Sequence, residues 1–363
     1  MKVELLEGAS AYNIFSEVRE SVYKEDIYYR CTEKEIEELL LNSKGSFHSH
    51  AAIKMFVLRD GNNLVARFAL IHDLRLPEYV QVSFFEAQKG LGEIFPLIKQ
   101  EIIKHFPECP KVVVGLNGHL NYGAGILLNH FDRVPMYGLP YNPEYYKNYF
   151  KNLRCRKMFT FRFEMEGYIN WSKNYSRNRV IEGLNIRHMN KQNFKKDIAL
   201  YTQFNNLSFQ KHTYWADRDA EEDIELFYPL RHWLKKENLI FAEVNDKPAG
   251  FFLWLPDFNQ LLTSQRHLNL WGLMKFRFKN TIDTYRFTEI GIIPKFLKSN
   301  IGLAMIDKAL PTMIEQGYKY CEGGYIFEEN RASMTFVFRT IERSFGMKAE
   351  PYRQFATFEA ELK

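Results

Sequence analysis

The chain has little of what marks an exported, metal-stapled or membrane-spanning protein. Cysteine is scarce: Cys31, Cys109, Cys155 and Cys321 stand singly, without zinc-ligand spacing, so reduced structural thiols are expected and no metal centre. No run approaches the ~20 apolar residues that span a bilayer. The first residues, Met1-Lys2-Val3-Glu4-Leu5-Leu6-Glu7, carry acids where a secretion signal has a positive flank and a long apolar core, so a cytoplasmic location is expected. Lys and Arg are nowhere concentrated as in a nucleic-acid arm, and the formal net charge is only +5, so no nucleic-acid partner is expected. That mild basic excess suits an anionic cofactor or peripheral contact with the inner face of a membrane.

Aromatic residues, by contrast, are abundant: 31 Phe and 21 Tyr bring the aromatic share to 16%. Heavy core packing accounts for this, as would an apolar channel for a lipid-like substrate. At 363 residues the chain exceeds the usual single core, and its 46% hydrophobic and 26% charged residues are those of a globular protein. Two domains are therefore expected.

One plan is written twice. Met55 to Leu70 is a pair of β-rich runs around Asp60-Gly61, a strong hairpin signal, and Leu239 to Trp254 repeats it around Asn245-Asp246-Lys247-Pro248. Another strand follows each hairpin, Val80 to Glu86 and Phe287 to Ile293, each running into an amphipathic helical segment. A fourth strand closes each half, Lys111 to Asn117 and Tyr320 to Phe327. The pattern predicts an α/β (α+β) fold of two tandem domains, each a mixed, mostly antiparallel sheet flanked by helices. The polar stretch Glu166 to Leu184 suits a linker, which divides the chain into residues 1–165 and 166–363. Asp197 to Lys236 reads as two helices around a turn at His212 to Arg218, one wall of a cleft.

Chemistry is expected where the strand Glu289-Ile290-Gly291-Ile292-Ile293 ends at Pro294 and continues as Lys295-Phe296-Leu297-Lys298-Ser299-Asn300-Ile301-Gly302. A strand, a tight polar turn and a helix start present successive N–H groups to a pyrophosphate, though an ordinary strand-helix turn has the same sequence. This stretch resembles the signature of the GNAT acyltransferases, Val-x-Pro followed by Arg-Gly-x-Gly-x-Gly or Ala. Leu297 falls on the basic residue, Asn300 on the first essential glycine and Gly302 on the second. Asn300 is expected to keep the trace because Asn tolerates left-handed backbone, and Lys298 to offer the missing charge. Glu328-Glu329-Asn330 resembles the Glu-x-Asn segment after the next strand.

A narrower resemblance covers nearly the whole chain, to the two-domain bacterial family that includes ceramide synthase-like acyltransferases. It rests on Phe84-Phe85-Glu86; Asn117 to Gly125 with Phe131-Asp132; Pro140 to Tyr146; Leu255 to Asn259; and Tyr352 to Phe355. The resemblance implies an acyl-CoA-dependent N-acyltransferase acting by direct attack on a small-molecule or lipid amine. The coenzyme would bind main chain at Ile292 and Ile293, phosphates over Lys298, Ser299, Asn300, Ile301 and Gly302, and the segment of Asn330. Glu289 lies where family enzymes hold their base, although a surface carboxylate would read the same. The tyrosine acid of the family falls on Val337, which leaves Tyr325, Tyr352 or no acid, and leaves open a non-catalytic ligand-binding protein. Asp257 and Asn259 either orient the acceptor or cap a turn. Gln88-Lys89-Gly90-Leu91-Gly92 is one residue short of a second phosphate turn, so the first half is expected to lack an intact coenzyme site. Finally, His267 to Lys279 interleaves large apolar residues with bases, as a lid or a membrane contact would.

Overall fold

The computed structural model describes every residue except 43–44, 176–180, 264–267, 279–280, 298, 347 and 363. The first half runs β1 (Lys2–Leu6), α1 (Ala11–Tyr23), α2 (Lys34–Leu41), β2 (Ala51–Asp60), β3 (Asn63–Asp73), β4 (Tyr79–Ala87), α3 (Phe95–His105), β5 (Lys111–Val114), β6 (Ile126–Leu127), α4 (Tyr146–Tyr149) and β7 (Arg154–Glu164). The second runs α5 (Met165–Tyr175), β8 (Leu184–His188), α6 (Phe194–Phe209), α7 (Ala220–Phe227), β9 (Leu239–Val244), β10 (Lys247–Pro256), α8 (Leu270–Phe278), β11 (Thr284–Ile292), α9 (Ile301–Glu315), β12 (Tyr320–Phe327), α10 (Arg331–Phe345) and β13 (Gln354–Glu361).

Both hairpins form at the turns their sequences specify. Gly61 lies at φ +57°, and Asn245 and Asp246 take positive φ together, the conformation whose twist matches that of the flanking strands. The strands join in one sheet in the order β1-β2-β3-β4-β5-β13-β7-β12-β11-β10-β9-β8, with β6 beside β13. Each half is antiparallel except for one parallel pair, β4 with β5 and β11 with β12. The centre is exchanged: β13, from the end of the chain, pairs with β5, whereas β7 pairs with β12, and the two exchanged strands pair with each other. Continuous backbone pairing therefore couples the halves.

The stretch read as a linker opens instead as α5. Met165, Tyr168 and Ser172 are buried at helical spacing, and the polar residues between them cover the outer face. The aromatics are largely core: Phe15, Phe56, Phe68, Phe161, Tyr201 and Trp254 are among the largest fully buried side chains. No described helix is long and apolar enough to cross a membrane.

Candidate functional site

β11 and β12 pair from Thr284–Tyr320 to Phe287–Gly323 and then part. On its other edge β11 stays paired with β10 out to Ile292. Thr288 is the extra residue of a bulge, since Phe287 and Glu289 face the consecutive residues Trp254 and Leu253. Across the gap Gly324 takes φ +103°, a conformation that favours glycine, at the point where the pairing stops. Residues 288–292 thus present a backbone edge that no described strand occupies. Two buried hydroxyls beside it, Thr288 Oγ1 and Ser208 Oγ, have no hydrogen-bond partner among the described residues. Ser208 is close enough to Gly291 that a Cβ there would come within 2.8 Å of its Oγ. An unsatisfied edge with unpaired hydroxyls fits a ligand carrying amides of its own.

The first half repeats the parting but fills it. β4 and β5 pair from Tyr79–Lys111 to Val82–Val114, and β4 bulges at Phe84, φ +49°. Phe84 N–H donates to Asn117 Oδ1. Beyond it the edge is met by tyrosines of α4 and its flank. Tyr146 Oη accepts from Ala87 N–H at 2.8 Å and donates to Glu86 at 2.6 Å. Tyr145 donates to the Ala87 carbonyl at 2.8 Å, and Tyr149 to that of Gln88. Gln88 to Gly92 is an extended turn with Gly90 and Gly92 at positive φ, and α3 starts only at Phe95.

Glu289 stands at the open gap. Tyr201 Oη and Asn205 Nδ2, one turn apart on α6, both donate to its Oε2, at 2.8 and 2.7 Å, so Oε1 keeps its acceptor capacity. Burial raises the carboxyl above the usual range, against the pull of these donors and of Arg218 and Arg286. The Asn121 amide lies 3.0 Å from Tyr201 Oη and 2.9 and 3.1 Å from the Arg218 guanidinium, a donor that only the amide oxygen can accept from. Arg218 in turn pairs with the buried Asp223. The polar loop at Asn117 to Gly125 thus reaches the site from the other half, and His119, buried and held neutral, anchors it by donating to the Ala216 carbonyl at 3.0 Å. Sequence reasoning singled out the loop that carries Asn121 without giving it a role, and missed Tyr201, Asn205, Arg218 and Arg286. The i, i+4 pair Tyr201 and Asn205, on the buried face of α6, was the available signal.

Of the other expected residues, Tyr325 belongs to this cluster. Its hydroxyl donates to the Leu120 carbonyl at 3.1 Å, is pushed up to about 12 by burial, and senses Arg286 and Glu289. Tyr352 lies elsewhere, in a cleft with Arg133, Arg162 and Arg353. Asp257 and Asn259 are buried and hold the first half's 135–137 loop: Asp257 Oδ1 accepts from Tyr137 N–H at 2.9 Å, and Asn259 Nδ2 donates to the Pro135 carbonyl at 2.9 Å. Burial pushes Asp257 up to about 7. Ile292 pairs with Gly250, Ile293 N–H donates to the Ala249 carbonyl, and Asn330 caps α10 by accepting from Ser333 N–H.

The turn into α9 differs from expectation at one point. Asn300 sits at φ −92°, not in the left-handed region, so its tolerance of that region plays no part. Its side chain makes no cap; Ser299 Oγ accepts from Ile301 N–H at 3.3 Å instead. Ser299 and Asn300 are exposed, and Lys298 lies outside the described residues. Gly302 is in the first turn of α9, where a Cβ would meet Ile290 Cδ1 at 3.4 Å and Ile292 Cδ1 at 3.8 Å. The first turn therefore packs against the open strand through a buried glycine. Elsewhere, His50, Asp219 and Glu222 have the spacing of metal ligands, but Arg75 already supplies the cation, at 2.6 and 3.1 Å from the two Glu222 oxygens.

Two parallel pairs that part beyond a bulge, in one sheet with exchanged central strands, define a tandem GNAT fold. No family model matches the chain. A tandem GNAT protein from the clavulanic acid biosynthesis pathway superposes over 100% of this chain and 99% of its own, with TM-score 0.54 and 10% identity. Among curated proteins, YghO of Escherichia coli K12 is 20% identical over 256 residues, 67% of this chain and 64% of its own length. The bacterial ceramide synthase of Caulobacter vibrioides is 20% identical over 318 residues, 81% of this chain and 82% of its own.

Proposed function

We propose that the chain is an acyl-CoA-dependent N-acyltransferase whose second half carries the coenzyme and the chemistry. The single observation behind this is the open edge of 288–292, with its unpaired hydroxyls and Glu289 beside it, where the first half has tyrosines. Bound acyl-CoA supplies an activated acyl thioester. The main chain of Thr288 to Ile292 holds the pantetheine arm, and the first turn of α9, from Ile301 to Gly302, takes the diphosphate. Glu289, raised above the usual carboxylate range by burial, accepts the proton of the attacking amine at Oε1 while Tyr201 and Asn205 fix its other oxygen. Tyr325 keeps its proton throughout the neutral range and acts as a hydrogen-bond donor to the departing sulfur once it leaves the Leu120 carbonyl.

The acceptor is an amine of a lipid or long-chain base met at a membrane surface. α8 supports this: Trp271 is 78% and Phe278 85% exposed, next to Lys275 and Arg277. His267 and Lys279, the ends of the segment singled out in the sequence, lie outside the described residues. Titration with free coenzyme A and acyl-CoAs of increasing length tests the core of the reading. Saturable binding followed by acylation of a long-chain base is expected; absence of saturable binding ends it, and binding without turnover of any supplied amine leaves a ligand-binding protein.

A further inference from the structure

A second polar cleft of about 340 Å³ lies between the halves, in the size range of small-molecule sites. Four arginines line it, Arg30 and Arg133 from the first half, Arg162 from β7 and Arg353 from the segment before β13. Against them stands one lining carboxylate, Asp257, which burial pushes up to about 7 and which is already engaged by Tyr137 N–H. Glu322, behind the cleft, is shared between Arg353 Nε at 3.2 Å and Arg162 Nη1 at 3.8 Å. Arg353 is 3% exposed, donates through Nη2 to the Val134 carbonyl, and has no partner for its buried Nη1 among the described residues. Arg30 spends Nη1 on three carbonyls of its own loop, and its buried Nε has no partner among the described residues. Arg133 donates to Tyr352 Oη at 3.0 Å, so a hydroxyl, not a carboxylate, is the partner it has within the cleft. Asp26 lies near Arg30 and Asp132 near Arg133, but neither lines the cleft.

Buried guanidinium donors without acceptors call for a ligand with several oxygens and negative charge. We propose that this cleft is a binding site for the phosphate group of a phosphomonoester. It is not the diphosphate position of the acyl-CoA reading and does not depend on it. Asp257 N–H bonds the Thr284 carbonyl at the start of β11, and Ile292 lies eight residues further on, ~25 Å at ~3.3 Å per residue.

Calorimetric titration of the full chain with inorganic phosphate tests the site. Saturable binding is expected, weakened at least tenfold in Arg133→Ala/Arg162→Ala; Arg133→Ala alone, at an exposed guanidinium, gives the same direction in a protein whose folding is not in question. Arg353 is left intact because it neutralises buried Glu322. No saturable phosphate binding, or unchanged binding in both variants, overturns the proposal. So does displacement of phosphate by 3′-dephospho-coenzyme A, which has the diphosphate but no phosphomonoester and would put the anion at the α9 turn. Two further arms identify the source, and competition in either supports the site: sn-glycerol 3-phosphate stands for a soluble ester, phosphatidic acid vesicles for a lipid headgroup.

Discussion

The two halves part their parallel strands in the same way and then treat the gap oppositely. Beyond Val82 the β4 edge is closed by the hydroxyls of Tyr145, Tyr146 and Tyr149; beyond Phe287 the β11 edge faces no described strand, and its neighbouring hydroxyls go unpaired. The difference lies in the segment each half brings to its gap. The first half spends Pro140 to Tyr149 on plugging it with its own side chains, while the second sets a glycine-containing helix start beside it. The repeated plan thus leaves one half whose gap is filled by its own side chains and another whose gap no described strand fills.

If tyrosines substitute for a ligand in the first half, removing the central one should cost stability and nothing else. Tyr146 is 1% exposed and holds both Ala87 N–H and Glu86. Tyr146→Ala is expected to destabilise by roughly 3–5 kcal/mol, from cavity and lost hydrogen bonds together. Coenzyme A affinity of the folded fraction stays unchanged. Thermal unfolding with a coenzyme titration checks both, and a loss of affinity would show that the first gap takes part in binding.

In the second half the same kind of change should cost function and not stability. Glu289→Gln keeps an acceptor for Tyr201 and Asn205 but removes the base, so turnover is expected to fall about 100-fold, ~2.7 kcal/mol, with coenzyme A affinity intact. Because the carboxyl titrates above its usual range, the acid limb of the wild-type rate profile should also lie higher than an ordinary glutamate would place it. A pH–rate series on both proteins measures this; equal turnover would remove Glu289 from the chemistry.

Gly302 sharpens the contrast further, since its added side chain would enter the space between α9 and the open strand. Gly302→Val is expected to weaken coenzyme A binding at least about tenfold, ~1.4 kcal/mol, while the thermal midpoint moves only a few degrees. Unchanged affinity in the folded variant would take this turn out of the site.

Much of the fold was legible because it is locally encoded: Asp60-Gly61 and Asn245-Asp246 demand hairpins, and the β-rich runs around them demand strands. The exchange of β7 and β13 was not, since each reads as the last strand of its own half and only long-range pairing decides which sheet receives it. The same limit applies to Asp257 and Asn259. Their turn-forming character was visible, but their partners lie in Pro135 and Tyr137, more than a hundred residues upstream. Glu289 could be singled out from its place on the strand, but the side chains that hold it, Tyr201 and Asn205, come from α6, more than eighty residues upstream.

The smallest expected effect concerns Glu86, the carboxyl enclosed by the filled gap. Burial raises it to about 7, although Arg67, Tyr146 and Tyr23 all favour its charged form. Unfolded, the group titrates near ~4.3, so between these values the folded state holds the extra proton and stability must fall as pH rises. The contribution is fully present below about 4 and is lost as pH passes through about 7. Glu86→Gln removes the titration while leaving an oxygen to accept from the tyrosines. The variant should therefore gain on wild type by at least about 1 kcal/mol between pH 5 and pH 8, read as a difference in denaturant midpoint at the two pH values. A parallel pH dependence in the two proteins would mean that Glu86 stays ionised in its enclosure, and that the tyrosines close the first gap around a charge instead of a neutral acid.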